Sequence, residues 1–136
     1  FGKACEISQK LMLKDDKQIT LLRNKLIRYI QDEIHDSRIN GNMEKRLSGN
    51  LNMYFANVSN EAIIAAMPKI AISSGAACTS STMAASHVLL AIGLSKDEAF
   101  SSLRFGIGRF NTNEEIEIVA ENLISSIQKL QKMNIT

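Results

Sequence analysis

Residues 73–81 read Ser-Ser-Gly-Ala-Ala-Cys-Thr-Ser-Ser, and they follow the short apolar run Ile70–Ile72. From Ser73 to Ser86, every residue except Met83 is Ser, Thr, Gly, Ala or Cys. Small polar residues with a glycine are typical of a loop. The composition therefore predicts a loop that presents the thiol of Cys78 to solvent and to a substrate.

A cysteine in such a loop has two interpretations. It acts as a nucleophile if its thiolate is favoured by nearby positive charge or by a helix N-terminus, and a helix is expected to begin near Ala85. A single cysteine among Ala and Gly is also often a small buried residue with no chemical role. The composition of the segment leaves both interpretations open.

The bulk properties are those of an ordinary soluble globular domain. The chain has 136 residues, of which 45% are hydrophobic and 22% charged, enough for one domain. Its net charge of +2 is too small and too evenly spread to indicate nucleic-acid binding, and no apolar run is long enough to span a membrane. The two cysteines, Cys5 and Cys78, lack metal-ligand spacing, which argues against a metal site or a disulfide scaffold and for a reducing compartment.

The chain before the cysteine segment begins with a helical pattern. Apolar residues recur at steps of three or four and predict one long helix, Lys3–His35. A break in this helix at Asp15 and Asp16 is the alternative. A short strand at Arg38–Ile39 and a period-two strand over residues 51–56 are predicted to follow.

Helices and strands continue to alternate along the rest of the chain. The predicted elements are a helix from Ser59 to Met67, a short buried strand Ile70–Ser73, an apolar helix closed by Gly93, a short helix capped by Ser95, a strand Leu103–Ile107, and a helix from Thr112 to about Lys132. This order predicts an α/β fold in which helices cover a small sheet of about three to four strands.

Arg104 stands out on the predicted strand Leu103–Ile107, where it points away from Leu103 and Phe105. A guanidinium held on a strand presents a planar fork that suits a carboxylate. An ordinary surface ion pair is the alternative that the residues alone leave open.

Three segments, in the same order, resemble the cysteine desulfurases of the NifS/IscS type, which are pyridoxal-phosphate enzymes of fold type I. They are Ser73–Cys78, the Ala-Ile-Gly-Leu of residues 91–94, and the Ser-Ser-Leu-Arg-Phe-Gly-Ile-Gly-Arg-Phe-Asn-Thr of residues 101–112. The resemblance extends more weakly back to Phe1, and it covers only the C-terminal part of such an enzyme.

The resemblance implies that residues 1–136 form the small C-terminal domain of a cysteine desulfurase, folded like the C-terminal domain of fold-type-I aminotransferase-like enzymes. The large cofactor-binding domain is then absent from the chain. The sequence departs from the family pattern just before the strand at residues 51–56, where Ser48 and Gly49 stand in place of the usual Pro-Asn pair.

The implied reaction removes sulfur from L-cysteine and leaves L-alanine and a persulfide on Cys78. The resemblance makes Cys78 the catalytic nucleophile and Arg104 the residue that binds the substrate α-carboxylate, and it leaves Arg109 structural or unassigned. Pyridoxal phosphate is the implied cofactor of the complete enzyme. Its lysine belongs to a Ser-x-His-Lys motif that this sequence lacks, so no cofactor-binding or metal residue is assigned, and the chain alone is expected to be inactive.

The implied partners are L-cysteine, an iron–sulfur scaffold or other sulfur acceptor protein and, in the complete enzyme, a second copy forming a homodimer. No membrane or direct nucleic-acid contact is expected, and the expected location is the cytoplasm. The alternative is a stand-alone fragment that acts as a sulfur-carrying or binding module without catalysis of its own.

Overall fold

The structure, a computed structural model, describes residues 1–74 and 84–134. Within these residues the elements are α1 (Gly2–Glu33), β1 (Ser37–Ile39), β2 (Asn50–Phe55), α2 (Asn60–Ala66), α3 (His87–Ala91), α4 (Lys96–Phe100), β3 (Ser102–Gly106) and α5 (Asn113–Asn134). The predicted α/β class is confirmed.

The sheet has the strand order β1-β2-β3 and is antiparallel throughout. Leu51 lies opposite Phe105, and Met53 lies opposite Leu103. All four side chains are buried, because alternate residues of a strand point to the same face. This face is the sheet's contribution to the core.

The two long helices supply the other side of the core. In α1, Leu26 and Ile30 are buried, and in α5, Leu123 and Ile127 are fully buried. The helix α1 is continuous over 32 residues, so Asp15 and Asp16 do not break it. Both helices are long, but no helix in the described part of the chain is also apolar enough to cross a membrane.

A capping box begins α4 and connects it to the sheet. The backbone N–H of Glu98 donates to Ser95 Oγ at 3.2 Å, and the backbone N–H of Ser95 donates to Glu98 Oε2 at 2.7 Å. Glu98 also forms an ion pair with Arg38 of β1. The hydrogen bond from the Ser95 backbone, followed by the one from Arg38, lowers the pKa of Glu98.

We expect Ser95→Ala to lower the free energy of unfolding by about 1 kcal/mol, because the N–H of Glu98 loses its acceptor. Denaturant titration followed by circular dichroism measures this loss. Ser86→Ala is the matched control, since Ser86 is the N-cap of α3 but makes no side-chain capping bond. Equal losses for the two variants would contradict the prediction.

Residues 70–73, just before the cysteine segment, differ from the prediction. Residues 70–73 form no strand; Ser73 alone makes an isolated bridge to Arg104, and Ala71 is exposed. The backbone N–H of Ile70 donates to the carbonyl of Met67, in a turn around Pro68. This turn removes Ile70 from the predicted strand.

The helix α3 is also shorter than its apolar pattern indicated. It begins at His87 rather than near Ala85, and of its apolar residues only Leu89 is buried. Val88 is 56% exposed and Ile92, the residue after the helix, is 49% exposed. Gly93 ends the helix with a φ of 95°, as predicted.

Candidate functional site

Arg104 projects from the face of β3 that points away from the core. Its strand neighbours Leu103 and Phe105 are buried while Arg104 is exposed, which confirms the predicted orientation. Within the described residues, the Arg104 guanidinium makes no hydrogen bond or ion pair. Each of the other arginines contacts a polar or aromatic group: Arg23 with Asn24, Arg28 with Tyr29, Arg38 with Glu98, Arg46 with Asn40 and Asn42, and Arg109 with Asp15.

The backbone of Arg104 is fixed from both sides. On one side Arg104 lies opposite Asn52 of β2. On the other side the Arg104 N–H donates to the carbonyl of Ser73 at 2.8 Å, and the Ser73 N–H donates back at 3.4 Å. The structure thus brings the first residue of the cysteine segment next to Arg104, although the two are far apart in sequence.

Cys78 and the predicted loop around it lie outside the described residues, so the role of Cys78 stays a prediction. Cys78 follows Ser73 by five residues, a distance along the chain that can span at most about 18 Å. The other thiol, Cys5, is exposed on α1. Within the residues that the structure does describe, no group of three or more His, Cys, Asp or Glu side chains could hold a metal ion.

A cavity of about 300 Å³ lies beside Arg104. Most of its lining residues are polar or cationic, and α3 with the residue after it forms an apolar wall. The residues are Asn40, Gly41, Asn42, Lys45, Arg46, Asn50, Asn52, Ser86, Val88, Leu89, Ile92 and Arg104. No described Asp or Glu lines it. The volume is at the lower end of the range of small-molecule sites.

A network of buried side chains supports the strand face next to this cavity. Asn40 Nδ2 donates to Asn52 Oδ1 at 2.7 Å and to Ser102 Oγ at 3.0 Å, and Ser102 Oγ donates to the carbonyl of Glu98 at 2.7 Å. Asn40 and Ser102 are both buried. Because the oxygen of Asn52 accepts from Asn40, the NH₂ group of Asn52 remains as a donor beside Arg104.

The loop between β1 and β2 brings two further cations to the cavity. Asn42 Oδ1 accepts from the backbone N–H of Glu44 at 2.7 Å and of Lys45 at 2.9 Å. Arg46 Nε donates to the carbonyl of Asn42 at 2.9 Å, and its Nη2 donates to the carbonyl of Asn40. Gly41 permits this close turn with a φ of 80°.

The guanidinium of Arg46 uses only part of its hydrogen-bonding capacity. Its Nη1 is buried and has no hydrogen-bond partner among residues 1–74 and 84–134. Burial lowers the pKa of Arg46, and the positive charge of Arg23 lowers it further. Two guanidinium groups therefore interact unfavourably near the cavity.

Sequence reasoning did not assign Asn40, Lys45, Arg46 or Asn52 to a site. The polar residues Asn50 and Asn52, which alternate with the buried residues of β2, were the available signal, because they line the same sheet face as Arg104. A larger cavity of about 750 Å³ lies between α1 and α5 and shares no lining residue with the Arg104 cavity. Its carboxylates and lysines are typical of a solvated groove between helices.

Residues 1–119 match the family model described as aminotransferase class V. The chain is 41% identical over 134 residues to the mitochondrial cysteine desulfurase of Arabidopsis thaliana, a match that covers 98% of this chain and 30% of that protein. It is 44% identical over 134 residues to the cysteine desulfurase IscS of Ehrlichia chaffeensis, covering 98% of this chain and 33% of that protein. The chain thus spans about a third of the length of these curated relatives.

Solved structures agree on the fold. A NifS-like protein from Rickettsia africae superposes with a TM-score of 0.76 at 22% sequence identity, over 97% of this chain and 33% of that one. A second solved structure, of a NifS-like protein, gives a TM-score of 0.78 at 21% identity, over 93% of this chain and 32% of that one. Together with the family match, these findings confirm the resemblance seen in the sequence: the chain belongs to the aminotransferase class-V family.

Proposed function

We propose that this chain is the small domain of a cysteine desulfurase, in which Cys78 receives the sulfur of L-cysteine and L-alanine is released. The observation that carries the proposal is the pairing of Arg104 with Ser73. An exposed guanidinium that has no side-chain partner among the described residues lies directly beside the first residue of the cysteine segment. The relatives named as cysteine desulfurases support this reaction.

Arg104 binds the α-carboxylate of L-cysteine in this proposal. Its planar fork can donate two parallel hydrogen bonds to the two carboxylate oxygens. The backbone pairing with Asn52 and Ser73 holds the Arg104 Cα in place. Only the side-chain torsions of Arg104 then have to be fixed when the carboxylate binds. The NH₂ group of Asn52 lies on the same strand face and offers a further donor.

Cys78 acts as the nucleophile toward the substrate sulfur. A sulfur–sulfur bond forms on Cys78, the sulfur–carbon bond of the substrate breaks, and the carbon takes up a proton to give the methyl group of alanine. The attacking group is the thiolate. The short chain between Ser73 and Cys78 supports this role, because it keeps the thiol within reach of a substrate held at Arg104.

Pyridoxal phosphate is the cofactor that we propose for the complete enzyme, but the described residues do not fit it. The cofactor needs a lysine whose pKa is lowered by an apolar or cationic environment. Every described lysine is exposed except Lys25. The hydrogen bond to Glu117, 2.8 Å away, raises the pKa of Lys25, which is the opposite of what such a lysine requires. We propose that the cofactor binds to the part of the desulfurase that this chain does not span.

The remaining partners rest on the resemblance. We propose an iron–sulfur scaffold or another sulfur acceptor protein as the recipient of the persulfide, a homodimer for the complete enzyme, and the cytoplasm as its location. A stand-alone sulfur-carrying module gains no support, since the matched relatives are named as cysteine desulfurases.

We expect Arg104→Lys to raise the KM of the complete desulfurase for L-cysteine by about 30-fold or more, since a lost contact to a paired charge costs about 2 kcal/mol or more. Lysine keeps the charge but loses the two-pronged contact. Steady-state kinetics of alanine release measure KM and kcat separately. Arg109→Lys is the matched control, because Arg109 forms an ion pair with Asp15 at 2.9 Å and does not line the cavity. An unchanged KM for Arg104→Lys would show that Arg104 is structural.

A further inference from the structure

Three cationic side chains from two separate parts of the fold meet at the cavity of about 300 Å³. Arg104 comes from β3, and Lys45 and Arg46 come from the loop between β1 and β2. Glu44 is on the same loop but does not line the cavity, and no other described carboxylate lines it either. Three cations around one cavity, with no described carboxylate among the lining residues, favour the binding of negative charge there.

Arg46 gives a second, independent indication. Its Nε and Nη2 donate to the carbonyls of Asn42 and Asn40, whereas the buried Nη1 has no partner in the described part of the chain. A buried donor without an acceptor costs free energy, and more when it carries charge. The nearby charge of Arg23, which together with burial lowers the pKa of Arg46, adds to this cost. A negative charge in the cavity that Arg46 lines would offset the unfavourable interaction with Arg23.

The remaining wall of the cavity is aliphatic. Val88, Leu89 and Ile92 line it, and Val88 and Ile92 are about half exposed to solvent. Covering such side chains with carbon atoms is favourable, whereas an inorganic anion would leave them in water. The wall therefore favours an organic ligand whose methylene groups lie between its charged ends.

We propose that this cavity binds a small organic dianion, with one carboxylate at Arg104 and a second anionic group at Lys45 and Arg46. The carboxylate position at Arg104 rests on the proposed function. The second anionic position, at Lys45 and Arg46, goes beyond it, since the α-carboxylate is the only anionic group that L-cysteine needs to present. A ligand of this class would compete with L-cysteine for Arg104. The chain would then bind a dicarboxylate more tightly than a monocarboxylate of the same length.

Succinate and butyrate are suitable probes, because they have the same number of carbons and differ in one carboxylate. We expect succinate to bind the chain at least tenfold more tightly than butyrate, as measured by NMR chemical-shift titration at low ionic strength, where charge interactions are weakly screened. Lys45→Gln should reduce the affinity for succinate toward that for butyrate without changing butyrate binding. Lys45→Arg, which keeps the charge, should retain the preference. Lys17→Gln, which removes an exposed charge on α1, is the matched control and should change neither affinity.

Two outcomes separate this inference from the proposed function. If butyrate binds in an Arg104-dependent manner but succinate binds no more tightly, or if Lys45→Gln has no effect, the second anionic position is overturned while the carboxylate role of Arg104 stands. If Arg104→Gln leaves the binding of both probes unchanged, the carboxylate role of Arg104 is overturned, and the two-ended site with it. The dispersion of the amide spectrum shows in each case that the variant is folded.

Discussion

A Cys78→Ser variant of the complete desulfurase is expected to release no alanine from L-cysteine and to form no persulfide. The reaction needs a thiolate that can accept the substrate sulfur, and a hydroxyl is almost entirely protonated at neutral pH unless a base lies beside it. A seryl oxygen also cannot form the sulfur–sulfur bond of the product. Alanine release measured by chromatography, and the persulfide detected by mass spectrometry, test the two parts of this prediction.

Cys5→Ser is the matched control for this variant. Cys5 is exposed on α1, so the change removes the other thiol of the chain without opening a cavity in the core. Its rate of alanine release should equal that of the unchanged enzyme. Near-normal alanine production by Cys78→Ser, or loss of activity in Cys5→Ser, would contradict the nucleophile role of Cys78. Retention of bound cofactor in both variants would show that a lost rate is a lost chemical step.

We expect Phe55→Ala to lower the free energy of unfolding by about 3–5 kcal/mol, because it leaves a cavity and removes a large apolar side chain from the core. Phe55 is the last residue of β2 and is fully buried. Domains of ordinary size are stable by only about 5–15 kcal/mol, so this loss approaches the threshold for unfolding. Thermal and denaturant unfolding followed by circular dichroism measure it.

Phe110→Ala deletes the same atoms at a site that is 89% exposed. Surface substitutions usually change the free energy of unfolding by less than about 0.5 kcal/mol. The difference between the two variants therefore isolates the contribution of burial from that of the phenylalanine itself. A similar loss at both positions would mean that the packing between sheet and helices does not set the stability of the chain.

Features set by neighbouring residues were predictable from the sequence. Ser95 and Thr112 were identified as caps, and each makes both hydrogen bonds of a capping box in the structure. The alternation Leu51, Met53, Phe55 predicted the buried face of β2 correctly. Such patterns need only the local period of the chain, so no knowledge of the tertiary structure was required.

Features that depend on distant contacts were not predictable in this way. The segment Ile70–Ser73 was expected to be a strand, but whether a short apolar run pairs depends on how much of β3 it can reach. The cavity was not foreseen because Lys45 and Arg104 meet only after β1, β2 and β3 have paired. The predicted loop around Cys78 remains a prediction.

Gly49 shows how one long-range contact can explain a local departure from the family pattern. A Cβ atom at this position would lie 2.1 Å from the carbonyl oxygen of Ile107, which is closer than real Cβ atoms approach. The Ile107 N–H also donates to the Gly49 carbonyl at 2.9 Å. With the loop placed as it is here, only glycine fits beside the end of β3.

The pairing of β2 with β3 has a consequence for the rate and order of folding. The central strand β2 and its neighbour β3 are separated in sequence by α2, α3 and α4. Closing a loop of that length costs chain entropy before the contacts that compensate for it can form. During synthesis β2 emerges well before β3. Asn52 and the loop that carries Lys45 and Arg46 are therefore made before Arg104, which completes the cavity. The bridge from Ser73 to Arg104 cannot form until β3 has been made. We therefore expect the candidate site to be among the last parts of the chain to assemble, with a refolding rate limited by the pairing of β3 with β2.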